Sequence, residues 1–202
     1  MKKIFFAVLA ILSLGVFSCT SNATSNTETA KQADPVKENK TLVAYFSATG
    51  NTEKVAKAIA EITGGTLFEI EPAQPYTEED LDGWNESARG TRESKDRSTR
   101  PEIKNKIENM AQFDVIYLGF PIWWYSSPTI INTFLEQYDL AGKTIIPFAT
   151  SGGSDYGNTE NDLKVSAPDA IFKPGKVLFK TEGLLTEIDK NIVEEWIKVV
   201  EI

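Results

Sequence analysis

Three short stretches of this 202-residue chain carry residue types suited to holding a ligand rather than filling a core. Ser47-Ala48-Thr49-Gly50-Asn51-Thr52 sets three hydroxyls and an amide among small residues. Small residues let backbone N–H groups approach an anion, and a helix starting there adds its dipole. The stretch therefore suits a phosphate monoester without any Lys or Arg. It has neither a Gly-Lys-[Ser/Thr] ending nor a Gly-x-Gly-x-x-Gly pattern, so it is neither a Walker loop nor a dinucleotide turn. Pro121-Ile122-Trp123-Trp124-Tyr125 strings three aromatics together, and aromatic faces stack on other flat π systems. Thr150-Ser151-Gly152-Gly153 offers backbone groups at close range to the edge of a heterocycle. Each stretch also has a plain reading: a capped helix start, aromatics tucked inward, and a glycine turn with no ligand.

Two absences narrow the chemistry. The chain has no histidine and a single cysteine. Ser-His-Asp and Cys-His nucleophilic sites are excluded, as are His-ligated metals and Cys-rich zinc or iron–sulfur centres. Catalysis would then rest on carboxylates, Lys, Tyr, or a cofactor that brings its own reactivity. The net charge of −8 argues against nucleic acid, which needs a basic face. A composition of 41% hydrophobic and 25% charged residues is that of a folded domain.

The three stretches gain meaning from the elements around them. Thr41 to Phe46 is an apolar run of strand length, and Thr52 to Thr63 has helical spacing with a Gly64-Gly65 stop. Further strands are expected at Thr66–Ile70, Phe113–Gly119, Lys143–Thr150 and Gly175–Phe179. Helices are expected at Pro128–Tyr138 and Thr186–Val200. Alternating strands and helices, with nearly continuous apolar strands, predict a parallel sheet covered on both faces. Ligands of such folds bind beyond the carboxyl ends of the strands, where all three stretches fall.

Taken together, the motifs resemble those of flavodoxin-like proteins. Ser47-x-Thr49-Gly50-Asn51-Thr52 is similar to their phosphate-binding fingerprint. Pro121 to Tyr125 and Ser151-Gly152-Gly153 resemble the two loops that flank the isoalloxazine ring. The resemblance covers Thr41 to Ile202. It implies an α/β/α sandwich with a five-stranded parallel sheet in the order 2-1-3-4-5, and non-covalent FMN across the strand ends. Ser47 to Thr52 would hold the phosphate, Pro121 to Tyr125 would wall the ring, and Thr150 to Gly153 would meet its pyrimidine side. In one departure, many electron-transfer flavodoxins stack a third-loop tyrosine on the ring, whereas here the aromatics crowd the second loop.

The stretch from Ala73 to Arg100 reads as one long irregular loop holding all four arginines, Arg89, Arg92, Arg97 and Arg100. Arginine suits bidentate anion binding. The loop could close over the site, with Trp84 as a lid and the arginines facing an anionic substrate or a nicotinamide nucleotide. Alternatively the arginines pair with Glu78, Glu79, Asp80, Asp82 and Glu93.

The amino terminus reads as an address. Lys2 and Lys3 precede an apolar run from Ile4 to Phe17, about 14 residues where a span needs about 20. Val16-Phe17-Ser18-Cys19 resembles a bacterial lipobox, which would make residues 1–18 a signal peptide and Cys19 a lipidated first residue. A buried helix, or cleavage near Ala23 or Ala30, is the alternative. Residues 19–40 are polar and read as a flexible tether to a domain at 41–202. Loss of Lys2 and Lys3 would leave a charge near −10. The expectation is thus an extracytoplasmic, membrane-anchored FMN protein passing electrons to a partner protein or a small molecule. An NAD(P)H-dependent flavin or quinone reductase, a non-catalytic flavin-binding lipoprotein and a ligand-free interaction module are the alternatives.

Overall fold

The computed structural model describes residues 40–181, 183–184 and 186–200. The expected signal peptide, Cys19 and almost all of the tether lie outside the described residues. A single parallel sheet organises the rest. Strand β1 (Thr41–Tyr45) lies between β2 (Thr66–Glu69) and β3 (Val115–Pro121), and β3 pairs onward with β4 (Thr144–Ser151). The order is the expected 2-1-3-4-5.

The fifth position is divided between two segments. Strand β5 (Ile171–Phe172) runs beside Thr144–Ile145, and β6 (Lys176–Lys180) beside the later residues of β4. Pro174-Gly175 separates the two segments, and further along, within β6, the register shifts at Leu178, opposite Ala149 and Thr150. Proline cannot donate to a ladder, so one strand becomes two. The sheet accordingly has six strands rather than five, and the sequence pattern marked only the second half of the last position.

Alternate residues of each strand point to opposite faces, and both faces are buried. Leu42, Ala44 and Phe46 join Ile116, Leu118 and Phe120 in one core, packed under Ile130, Ile131 and Phe134 of helix α3 (Thr129–Glu136). Val43, Tyr45, Tyr117 and Phe148 join the other, under α1 (Asn51–Thr63) and α5 (Lys190–Val200). Burial on both faces explains why β1 and β3 are apolar without alternation. Gly50 (φ 85°) and Gly64 (φ 66°) bound α1 in left-handed conformations that favour glycine. Gly119 is required for a different reason: a Cβ there would lie 2.2 Å from the Phe148 ring.

Two helices lie where no apolar period marked them. Helix α2 (Arg89–Lys95) interrupts the stretch expected to be irregular, and α4 (Thr159–Ser166) follows the glycine loop. The inward faces of α2 and α4 are Gly90, Thr91 and Ser94, and Thr159, Leu163 and Ser166. Apart from Leu163 these faces are small and polar, and a single leucine sets no hydrophobic period. The last helix begins at Lys190 rather than Thr186, and Ile192, expected on its inner face, is exposed. No helix among the described residues is long and apolar enough to cross a membrane.

Candidate functional site

Parallel pairing decides which loops can meet. Tyr45 lies opposite Gly119, and Pro121 opposite Thr150, so β1, β3 and β4 end at one edge. The three sequence stretches leave the sheet there, side by side.

The first loop turns sharply into α1. Phe46 N–H donates to the Gly119 carbonyl (2.9 Å), and Lys54 N–H reaches the Gly50 carbonyl (3.2 Å). Between them, Ala48 and Gly50 are half-buried and Thr49 is exposed. Asn51 Nδ2 donates to the Gly183 carbonyl (2.9 Å), tying the loop to the segment after β6. Thr52 is buried, and its Oγ1 lies 2.9 Å from Thr150 Oγ1. One of these two hydroxyls donates and the other accepts, so one proton stays free for a ligand. The Ser47 hydroxyl is buried and has no hydrogen-bond partner. Buried polar atoms without partners are uncommon and costly, and an anion in the loop would satisfy this one.

The second loop splits its aromatics. Pro121 ends β3, and Ile122 N–H donates to the Thr150 carbonyl (2.8 Å). Trp123 turns inward against Phe46 and Tyr76, with ring centroids 5.6 and 5.2 Å away and near-perpendicular planes. Trp124 and Tyr125 face outward, 44% and 65% exposed. A two-residue turn makes the split. Trp123 and Ser126 exchange backbone hydrogen bonds of 2.8 and 3.1 Å, while Trp124 and Tyr125 adopt φ values of 49° and 62°. Left-handed backbone costs a non-glycine residue of order 1–3 kcal/mol, a strain found mainly at functional positions.

The third loop opens at Gly152, because Thr150 and Ser151 still belong to β4. Ser151 Oγ accepts from Gly153 N–H (3.0 Å), and Gly152 and Gly153 are exposed. Tyr156, further along, packs against Phe120 and fills the space that a side chain on Gly175 would need. Its hydroxyl is buried without a partner, and burial raises its pKa.

These loops line three cavities. Ser47 and Ala48 border one of about 470 Å3 with Glu69, Glu71 and Lys104, and the other two lie between the loops. One of about 490 Å3 touches Thr49, Asn51, Pro121 and Ser151, and one of about 480 Å3 touches Trp84, Trp124, Tyr125 and Gly153. Both share Leu81, Ile122, Trp123 and Gly152 as walls. The sequence did not mark Leu81, Gly90, Thr181 or Leu184, which line the same space. Only Trp84, a lone indole in a polar stretch, signalled that wall, and it is 97% exposed.

The arginines do not face this cleft as free charges. Arg89 lies over the Tyr76 ring (4.1 Å) and pairs with Glu93 (2.7 Å). Arg92 donates to the Ser87 carbonyl. Arg97 donates to the Ser127 carbonyl (2.6 Å) and to Asn132 Oδ1 (3.2 Å). Arg100 grips Glu136 with two bonds of 2.7 and 2.8 Å, holding that carboxyl below its ordinary range. Of the five acids expected as partners, only Glu93 pairs with an arginine side chain. Arg89, Arg97 and Arg100 fasten α2 and the segment after it to the rest of the domain, whereas Arg92 bonds locally.

A doubly wound parallel sheet with a hydroxyl loop, an aromatic turn and a glycine loop at its strand ends defines a binder of a flat ring bearing an anion. The flavodoxin family model matches residues 40–200, and the chain belongs to that family. It is 24% identical over 158 residues to a flavodoxin of Haemophilus influenzae, covering 75% of this chain and 74% of that one. Among solved structures, a candidate flavoprotein of Bacteroides eggerthii is 45% identical with a TM-score of 0.73, over 82% of this chain and 99% of the other. A Lactobacillus acidophilus flavoprotein, solved in complex with FMN, shares the fold at 24% identity and a TM-score of 0.58, over 79% and 99% of the two chains. The residues present fit FMN. The buried Ser47 hydroxyl, which has no protein partner, would suit its phosphate, and the outward aromatic faces would suit its ring.

Proposed function

We propose that this chain is an FMN-dependent electron carrier, held outside the cytoplasm by a lipid on Cys19. The observation that carries the FMN reading is the buried, unpartnered Ser47 hydroxyl, at the one edge where the aromatic and glycine loops also emerge. Bound FMN would supply reversible one- and two-electron redox chemistry, and a chain with a single cysteine has no internal disulfide couple to do so instead. Ser47, Ala48, Thr49, Gly50, Asn51 and Thr52 surround the phosphate. Pro121, Ile122, Trp123, Trp124 and Tyr125 wall the ring and exclude water from one side. Thr150, Ser151, Gly152 and Gly153 meet its pyrimidine edge through backbone groups.

Carrier is favoured over NAD(P)H-dependent reductase because Arg89, Arg97 and Arg100 are all engaged by protein acceptors. A nicotinamide nucleotide would find none of these three guanidinium groups free for its phosphates. The electron-exchange partner is then another redox protein or a small acceptor at the exposed rim of Trp84, Trp124 and Tyr125.

Anaerobic titration of the purified protein tests this reading. The expected result is yellow protein that reduces in two resolved one-electron stages and is not bleached by NADPH. Rapid bleaching by NADPH would establish the reductase instead, and colourless protein that fails to take up FMN would reject both. For the anchor, mass spectrometry of the amino-terminal peptide should find acylated Cys19, and Cys19→Ala should move the protein out of the membrane fraction.

A further inference from the structure

We propose that Asp162 and Arg97 are positioning residues for the aromatic turn, holding Trp124 and Tyr125 in their left-handed conformation so that the ring wall is formed before a ligand arrives. The consequence for affinity rests on the FMN reading above; the geometry does not. Three consecutive residues at the end of the turn are each held by one member of a single polar network. The Tyr125 carbonyl accepts from Asn158 N–H (3.2 Å). The Ser126 hydroxyl donates to Asp162 Oδ2. The Ser127 carbonyl accepts from Arg97 Nη1 (2.6 Å).

The three holders are themselves joined. Asn158 Nδ2 donates to Asp162 Oδ1 (3.2 Å), and Arg97 Nη2 lies 3.7 Å from Asp162 Oδ2. Helix α3 fixes the network from below: Asn132 accepts from Arg97 and donates to the Asp162 carbonyl (2.9 Å) and to Ser166 Oγ (2.9 Å). Gly157 completes the seat, since a Cβ there would lie 2.2 Å from the Tyr125 carbonyl oxygen. Neither Arg97 nor Asp162 lines the cleft. Both act on it through the turn. A strained segment persists only where its surroundings over-determine it, and this network is what over-determines Trp124 and Tyr125.

The test is a double-mutant cycle in the full chain, read by FMN affinity and by hydrogen exchange of the Ser126 amide, which bonds to the Trp123 carbonyl. Asp162→Asn should weaken FMN binding about tenfold and speed exchange at Ser126 in the ligand-free protein. In a Tyr125→Gly background, where glycine adopts positive φ without strain, the same Asp162→Asn change should alter affinity less than about twofold. An equal tenfold loss in both backgrounds would overturn the proposal, because Asp162 would then act on the fold at large. Unchanged Ser126 exchange in Asp162→Asn would overturn it as well. If that variant does not fold, Ser126→Ala removes one bond of the network and should shift both readouts in the same direction; no shift in either would overturn the proposal. If the parent protein takes up no FMN, the FMN reading fails, and Ser126 exchange still decides between a braced and an unbraced turn.

Discussion

The Thr52 and Thr150 hydroxyls meet 2.9 Å apart in a buried contact that joins the start of the first helix to the end of the fourth strand. These residues are 98 positions apart, and their bond locks the hydroxyl loop to the strand end from which the glycine loop leaves. The two halves of the candidate site therefore stand in fixed relation before any ligand binds. Thr150→Val removes one partner and strands the Thr52 hydroxyl, which is 1% exposed. Destabilisation of about 1–3 kcal/mol is expected in urea or thermal unfolding, together with weaker FMN binding.

Ser47→Ala should behave in the opposite way. Its hydroxyl has no partner in the ligand-free protein, so its removal should leave stability unchanged or slightly improved. FMN binding should fall about ten- to a hundredfold, the range for one hydrogen bond to a charged group. Riboflavin, which lacks the phosphate, should bind the variant and the parent equally. Parallel titrations with both flavins read this out, and an equal loss for riboflavin would remove Ser47 from the phosphate site.

Trp84→Ala separates affinity from stability at the opposite wall. At 97% exposure the indole contributes no burial, so the unfolding midpoint should stay within about 0.5 kcal/mol of the parent. A ring stacked on the flavin would be worth about 0.5–1.5 kcal/mol, or roughly two- to tenfold in affinity. Fluorescence titration measures it, and an unchanged dissociation constant would show that Trp84 does not cover the ring.

Gly119→Ala tests the sheet beneath the loops. The added carbon would meet the Phe148 ring at 2.2 Å, and overpacking of this kind costs about 1–3 kcal/mol. Phe148→Leu in the same chain should recover part of the loss, because it clears the space. Chemical denaturation of both variants gives the comparison.

The Arg100–Glu136 pair gives stability a defined pH dependence. Arg100 holds the Glu136 carboxyl below its ordinary value of 4.5. The folded state thus binds that proton less readily than the unfolded chain does. Its contribution is present above pH 4.5 and lost as pH falls through the depressed value. The pair is partly exposed, so the effect is small and screened by salt. Glu136→Gln should flatten the stability profile below pH 4.5 and leave the slope near neutrality unchanged, as measured by unfolding across pH.

Much of the fold was legible in the residues themselves. The unbroken apolar runs of β1 and β3 announced strands buried on both faces, and Gly64 announced the end of α1. The three stretches at 47–52, 121–125 and 150–153 were legible as candidate ligand loops by composition, and parallel pairing brings them to one edge. Local chemistry and short-period patterns determine these features, so they are written in contiguous residues. Other features depend on partners far away in the chain. Which aromatics turn outward depends on a strained turn held by Arg97, Asn158 and Asp162. The roles of Arg97 and Arg100 depend on the acceptors Ser127 and Glu136, 30 and 36 residues away. Helices α2 and α4 bury mostly small polar residues, with Leu163 the one large apolar exception, so no hydrophobic period reveals them. Such contacts form only when tertiary packing brings remote groups together and desolvates them, and they leave no periodic trace in the sequence.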